Sequence, residues 1–234
     1  MMNNSESILV LGSRHGCNLP DLKVKMVFSS NASATKAKIY KEKYSDVPLV
    51  CCTTVKEFTK NDIVKSAIMN SLPNKIIVRG GEVEELKKLS NCKVKFMSHL
   101  EQRKFQSNFY KYKKISFFLG EMRYRRTLKK TLSYFYHRFL NNSFLGASTG
   151  LFSILLALNE NENSDIIISG IGLDGGTQFY KSDRQVDKDH SPRAGVDKYL
   201  INVLKKNYKK RIITLDEKMA KDAQIRLWEG KIIA

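Results

Sequence analysis

The chain of 234 residues contains no apolar run approaching the about eighteen residues that a bilayer-crossing helix requires, so it offers no integral membrane segment. Its opening, Met1-Met-Asn-Asn-Ser-Glu-Ser7, has neither a basic start nor an apolar stretch, which predicts a cytoplasmic protein without a secretory signal. Cysteine is scarce. The four are Cys17, Cys51, Cys52 and Cys92, no pair stands at zinc-ribbon spacing, and the adjacent Cys51 and Cys52 read as reduced thiols packed in a strand. Acidic residues are outnumbered by basic ones, 23 to 41, and the formal charge of +18 leaves nucleic acid, anionic membrane and phosphorylated substrates as partners. Internal repeats, low-complexity linkers and a Gly-Lys-Ser/Thr phosphate loop are also missing. At this length one sizeable α/β core is expected, so residues 1–234 are read as a single domain.

What is present is a regular alternation. Apolar runs of strand length lie at Ile8-Leu11, Lys25-Phe28, Leu49-Cys52, Lys75-Val78, Lys93-Phe96, Asp165-Ser169 and Arg211-Leu215. Helical patterns fall between most of them, at Ala32-Lys43, Lys60-Ser71, Glu82-Ser90, Thr149-Asn159 and Ala194-Tyr208, with one more at Glu217-Ala223. Alternating strand and helix predicts an α/β protein with a mostly parallel sheet and helices on both faces, whose ligands bind at the strands' C-terminal edge.

Residues 100–145 interrupt the rhythm. From Arg103 to Arg138 there are eleven Lys or Arg and a single acid, Glu121, interleaved with ten aromatics. This is read as a lid or insertion. Within Arg123-Arg138, Tyr124, Leu128, Leu132 and Phe135 share one side of a helix with basic residues beside it, which suits an anionic membrane surface, a nucleic acid, or simply a solvated basic face.

Candidate site residues cluster after the strands. Gly12-Ser13-Arg14-His15-Gly16 follows the first, where a glycine turn admits a phosphate or merely turns the chain. Ser29-Ser-Asn31 follows the second and suits a ribose or phosphate contact, with capping of the next helix by Asn31 or Ser33 as the alternative. Ser148-Thr149-Gly150 opens an apolar helix whose amides and dipole favour an anion, with plain capping as the alternative. Ser169-Gly170-Ile171-Gly172 ends the most hydrophobic strand, and its glycines imply close approach by a ligand or by another backbone. His190 lies just before the helix at Ala194, where an imidazole near its natural pKa can accept a hydroxyl proton; His15 is its rival. Asp187-Lys-Asp189 spells the D-x-D tripeptide that can hold a divalent cation, although it stands far beyond the strand end.

Together these segments resemble the small bacterial sialyltransferases of glycosyltransferase family 42. Ser148-Thr149-Gly150, Ile166-Ile-Ile-Ser-Gly-Ile171 and His190-Ser191 with Asp197 carry the likeness most strongly; Gly12-Ser13 and Asn31 carry it more weakly. The resemblance implies a Rossmann-like domain, a GT-A-like variant with a lid, and a CMP-activated sugar acid in the sheet-edge crevice. It implies inverting displacement without a metal or other cofactor, since the leaving group is a monophosphate that hydrogen bonds can stabilise. His190 would be the general base, Tyr180 would contact the phosphate, and Gly12, Ser13, Asn31, Ser148, Thr149, Gly150, Ser169, Gly170 and Ile171 would surround the nucleotide. The acceptor would be a lipid-linked or surface glycan such as lipooligosaccharide or capsule, made at the inner face of the membrane, with Arg123-Arg138 on the leaflet; a homo-oligomer is compatible and no nucleic acid is expected. Three departures concern the sugar: Gly172 stands where the family carries an acid, Gly146 where it carries an arginine, and the glycine loop contains Arg14 and His15. A CMP-linked 3-deoxy-manno-octulosonic, legionaminic or pseudaminic acid would leave the cytidine side unchanged, with Arg14 or Arg193 holding its carboxylate. In a different class, a basic nucleic-acid-binding protein is the alternative.

Overall fold

The computed structural model describes residues 7–109, 146–160, 163–173, 178–180, 194–208 and 211–233. Eight strands form one sheet in the order β6-β5-β4-β3-β1-β7-β8-β9, every neighbouring pair parallel. They are β1 (Ile8–Leu11), β3 (Met26–Ser30), β4 (Leu49–Thr54), β5 (Lys75–Arg79), β6 (Lys93–Met97), β7 (Ile166–Ser169), β8 (Ile212–Thr214) and β9 (Arg226–Leu227). A separate ribbon pairs β2 (Leu19–Pro20) with β10 (Ile232–Ile233). The seven strands expected from the apolar runs are all present; β2, β9 and β10 are too short for a periodic signal.

Helices cover both faces. Ile8, Val10, Phe28, Ile166 and Ile168 pack against α6 (Thr149–Glu160), α7 (Ala194–Tyr208) and α8 (Glu217–Ala223). Leu9, Leu11, Val27 and Ile167 point the other way, onto α1 (Ala34–Lys43), α2 (Val55–Lys60), α3 (Asp62–Asn70) and α4 (Glu84–Lys87). Because each inner strand is covered on both sides, its sequence is apolar without alternation, as parallel sheets require. The outer strand β6 instead exposes Lys93 and Lys95, charges that discourage edge-to-edge pairing. This is a Rossmann-like α/β fold, with the all-parallel sheet going beyond the mostly parallel one expected.

Several boundaries differ from the sequence reading: α2 was not expected, and α4 is one turn, Glu84–Lys87, in place of a helix over Glu82-Ser90. Helix α5 (His99–Ser107) falls inside the stretch set apart as an insertion, yet Phe105 and Phe109 join the core. Its start is fixed by a capping box between Ser98 and Glu101. Residues 110–145, including Arg123-Arg138, lie outside the described residues. At the start of α1 neither Asn31 nor Ser33 caps with its side chain. A short 3-10 turn, Asn31–Ser33, comes first, and the Ser33 hydroxyl turns back to the carbonyls of Leu11 and Ser30.

Candidate functional site

The chain starts at β1, steps outward through β3, β4, β5 and β6, then returns to β7 on the opposite flank of β1. The register aligns Leu11 with Ser29 on one side and Ser169 on the other, so the loops after these strands emerge together. The β1/β7 junction is therefore the topological switch point at which open parallel sheets bind ligands.

At the junction itself the two loops touch backbone to backbone. Gly12 N–H donates to the Ser169 carbonyl at 2.7 Å and Arg14 N–H to the Gly170 carbonyl at 3.0 Å. A Cβ at Gly12 would lie 2.2 Å from the Gly170 oxygen, and one at Gly170, whose φ is +65°, would lie 2.6 Å from the Gly12 oxygen. Both glycines serve this close approach. The Ser13 hydroxyl donates to the Ser30 carbonyl at 2.6 Å and accepts from Ser33 N–H, and that of Ser169 donates to the Asn18 carbonyl at 2.6 Å. The Ile171 side chain lies against Gly12 and Gly150. Gly172 makes room for Arg14, whose Cζ lies 1.7 Å from where a Cβ would stand.

The small-residue turn is held from three sides. The Ala147 carbonyl accepts from Arg79 Nη2 at 2.8 Å, and Ala147 N–H donates to Gln106 Oε1 at 2.9 Å. Ser148 N–H donates to the buried carboxylate of Asp197, in the first turn of α7, at 2.9 Å. The Ser148 hydroxyl caps α6 by accepting from Leu151 N–H at 3.2 Å. Thr149 is buried in the first turn, and its carbonyl accepts from Ser153. Part of the helix's capacity for an anion thus goes to Asp197, a carboxylate from the chain itself.

The other polar cluster lies over the ends of β3 and β4. Residues 178–180 cross this edge, tied down by Phe179 N–H to the Ser13 carbonyl at 3.0 Å. They bring Tyr180 to Asn31, whose Nδ2 donates to the Tyr180 hydroxyl at 3.2 Å. Thr53 donates to Asn31 Oδ1 at 3.0 Å, and Tyr180 donates toward Glu57 Oε2 at 3.5 Å. Asn31 holds this position at φ +53°, a left-handed conformation that asparagine tolerates better than most residues and that recurs at functional sites. Burial, and then the charge of Glu57, raise the Tyr180 pKa, so the phenol stays protonated.

Arg79, Gln106, Thr53 and Glu57 escaped the sequence reading. Thr54-Val-Lys-Glu57 has the spacing of a capping box, and Thr54 does cap α2 by accepting from Glu57 N–H, which places that carboxylate just past β4. Arg79 ends a buried strand at the same edge, a charged residue in a place that asks for a reason. Asp174, Asp187, Asp189, His190 and Arg193 lie outside the described residues. Among those described, no three of His, Cys, Asp and Glu converge as a metal site would need, and no helix is long and apolar enough to cross a membrane.

No family model matches the chain, and no curated protein sequence does. The chain is similar to the solved structure of the sialyltransferase CstII from Campylobacter jejuni in complex with a substrate analogue, CMP-3FNeuAc: 18% identity over 98% of this chain and 95% of that one, with a TM-score of 0.42. A likeness of this degree carries no argument about chemistry; the fold rests on the strand order and register.

Proposed function

We propose that this protein is a glycosyltransferase that moves a sugar acid from a CMP-activated donor to a hydroxyl of a glycan acceptor. The observation that supports this reading best is the 3.2 Å contact between Asn31 and Tyr180. The two residues are 149 positions apart, each was singled out as a nucleotide contact, and they meet at the strand edge beside the switch point. Gly12, Ser13, Ser169 and Gly170 form the floor beneath the nucleotide, with Ile171 and Gly150 beside it, and the turn at Ser148 and Thr149 borders it. His190 takes the proton of the attacking hydroxyl. No metal takes part. The acceptor is a lipid-linked or surface glycan, and Arg123-Arg138 holds the enzyme to the anionic inner leaflet.

The test is ligand-dependent stabilisation. A ligand that binds the native state raises the melting temperature by mass action, so nucleoside monophosphates and CMP-sugars are compared at concentrations far above their expected Kd. Selective stabilisation by CMP and one CMP-sugar acid is the expected result. No shift with any cytidine nucleotide overturns the reading. His190→Ala should then abolish transfer while leaving CMP binding intact; retained turnover removes His190 from the mechanism.

A further inference from the structure

Between α1 and α3 lies a groove of about 460 Å³, a volume within the range of about 300–1,000 Å³ common to ligand sites. Thr35 and Lys38 line it from α1, and Asp62, Ser66 and Asn70 from α3, all five exposed. Ile63 and Ala67 supply an apolar strip; Ile63 is 54% exposed, although its neighbours Val64 and Ile68 turn into the core. Among the described residues none of the five polar side chains has a hydrogen bond or ion pair within the protein. Others on the same helices do: Lys41 donates to the Leu72 carbonyl at 3.4 Å, Lys43 pairs with Asp21 and Lys65 with Glu85. The Lys41 contact ties the far ends of the two helices together. The near end, at Thr35 and Asp62, starts where α1 leaves the Asn31–Ser33 turn after β3, and α3 packs against that turn.

The chemistry of the lining narrows the ligand. Lys38 and Asp62 cancel in charge; a phosphate would face the carboxylate, and a divalent cation would find only one. Two apolar residues of seven are too few to hold a lipid chain or an apolar helix. An uncharged polyhydroxyl chain matches, because each of its hydroxyls both donates and accepts, the lining offers both kinds of partner, and Ile63 and Ala67 provide a surface for the C–H faces of sugar rings.

We infer that the α1/α3 groove binds an uncharged oligosaccharide. Which chain it holds rests on the glycosyltransferase reading: it is the part of the acceptor glycan away from the reacting hydroxyl, gripped on the flank while its end reaches the strand edge.

Wild type labelled with ¹⁵N is titrated with maltopentaose, cellopentaose and lacto-N-tetraose, with a heparin pentasaccharide as the anionic control, and amide shifts are followed. The variants are Ser66→Phe, which fills the groove, and Lys38→Ala with Asp62→Ala, which strips its charges; all three positions are exposed. Two lost hydrogen bonds weaken binding by about tenfold or more. At least one uncharged oligosaccharide should move amides of α1 and α3, and both variants should weaken it by that factor while melting as the wild type does. No binding by the three, equal binding by wild type and variants, or binding of heparin alone overturns the inference. So does a dimer that Ser66→Phe dissociates in sedimentation, which would make the groove an interface between copies. Stabilisation by CMP is read on the same samples: oligosaccharide binding without it keeps the groove and discards the CMP donor, and CMP stabilisation without oligosaccharide binding discards the groove alone.

Discussion

The guanidinium of Arg79 holds the carbonyl of Ala147 at 2.8 Å while lying over the ring of Phe152, 4.2 Å from its centroid. Its Nε donates to Gln102, and Gln106 on the same helix takes the Ala147 N–H, so β5 and α5 grip both backbone polar groups of one residue. That residue immediately precedes the Ser148 turn. Arg79→Met should strand the buried carbonyl of Ala147 and Oε1 of Gln102 and remove the cation–π contact, costing about 3 kcal/mol. For a chain of this size that is roughly 6–12 °C in melting temperature. Arg79→Lys should lose less, because one ammonium can still reach the carbonyl but not stack or fork as a guanidinium does. A fall of under about 2 °C for Arg79→Met would show that the clamp does not hold the turn.

The glycines of the two loops should separate by what a methyl group would meet. Gly12→Ala drives a carbon to 2.2 Å from the Gly170 carbonyl oxygen, so β1 and β7 must part. Overpacking of this kind costs about 3 kcal/mol. Gly16→Ala meets nothing within 4 Å but keeps φ +77°, for roughly 1 kcal/mol of backbone strain. Gly172→Ala collides only with the far end of the Arg14 side chain, which can swing aside, so stability should fall least while Arg14 loses its seat. Denaturant unfolding of the three variants gives the ranking. Equal losses at Gly12 and Gly172 would contradict the backbone contact.

The sheet was legible because buried parallel strands leave continuous apolar runs, such as Ile166 to Ile168, that no charged loop imitates. The core helices showed for a similar reason, α6 being buried over most of its length. Of the site, Asn31 and Tyr180 were found as separate residues; their meeting depends on a crossing of the sheet edge that no local pattern encodes. Arg79 and Gln106 were hidden because their partner is a backbone group 68 and 41 residues away. The glycines were seen, but their use was not: a glycine that admits a ligand and one that admits another strand's carbonyl look alike in sequence. Gly12 and Gly170 turn out to admit each other.

The thiols should differ in reactivity as their surroundings differ. Burial pushes Cys17, Cys51 and Cys52 up to about 11, leaving almost no thiolate at pH 8 and no path for a reagent. Cys92 is only partly buried; burial raises it too, yet its sulfur is within reach of solvent. Native protein treated with a chromogenic disulfide at pH 8 should release one equivalent, lost in Cys92→Ser, and the remaining three only after unfolding. Two or more fast equivalents in the native state would mean that the strands bearing Cys51 and Cys52 open readily.

The same burial makes stability fall in alkali. In the native state Cys17, Cys51 and Cys52 keep their protons up to about pH 11, whereas exposed thiols in the unfolded chain begin to lose theirs near pH 9. Between those limits the unfolded state binds fewer protons than the native one, so the free energy of unfolding decreases as pH rises. The contribution is therefore complete below about pH 9 and disappears toward pH 11, at a slope of about 1.4 kcal/mol per pH unit for each thiol. Tyr40 acts in the same direction at higher pH, since burial raises its phenol, which donates to the Leu22 carbonyl. Urea unfolding from pH 8 to pH 11 should show midpoints that hold steady and then drop. Cys51→Ala should flatten the drop by about one thiol's share even though it lowers stability at pH 8. A Cys51→Ala curve parallel to the wild type would locate the alkaline loss in groups other than the buried thiols.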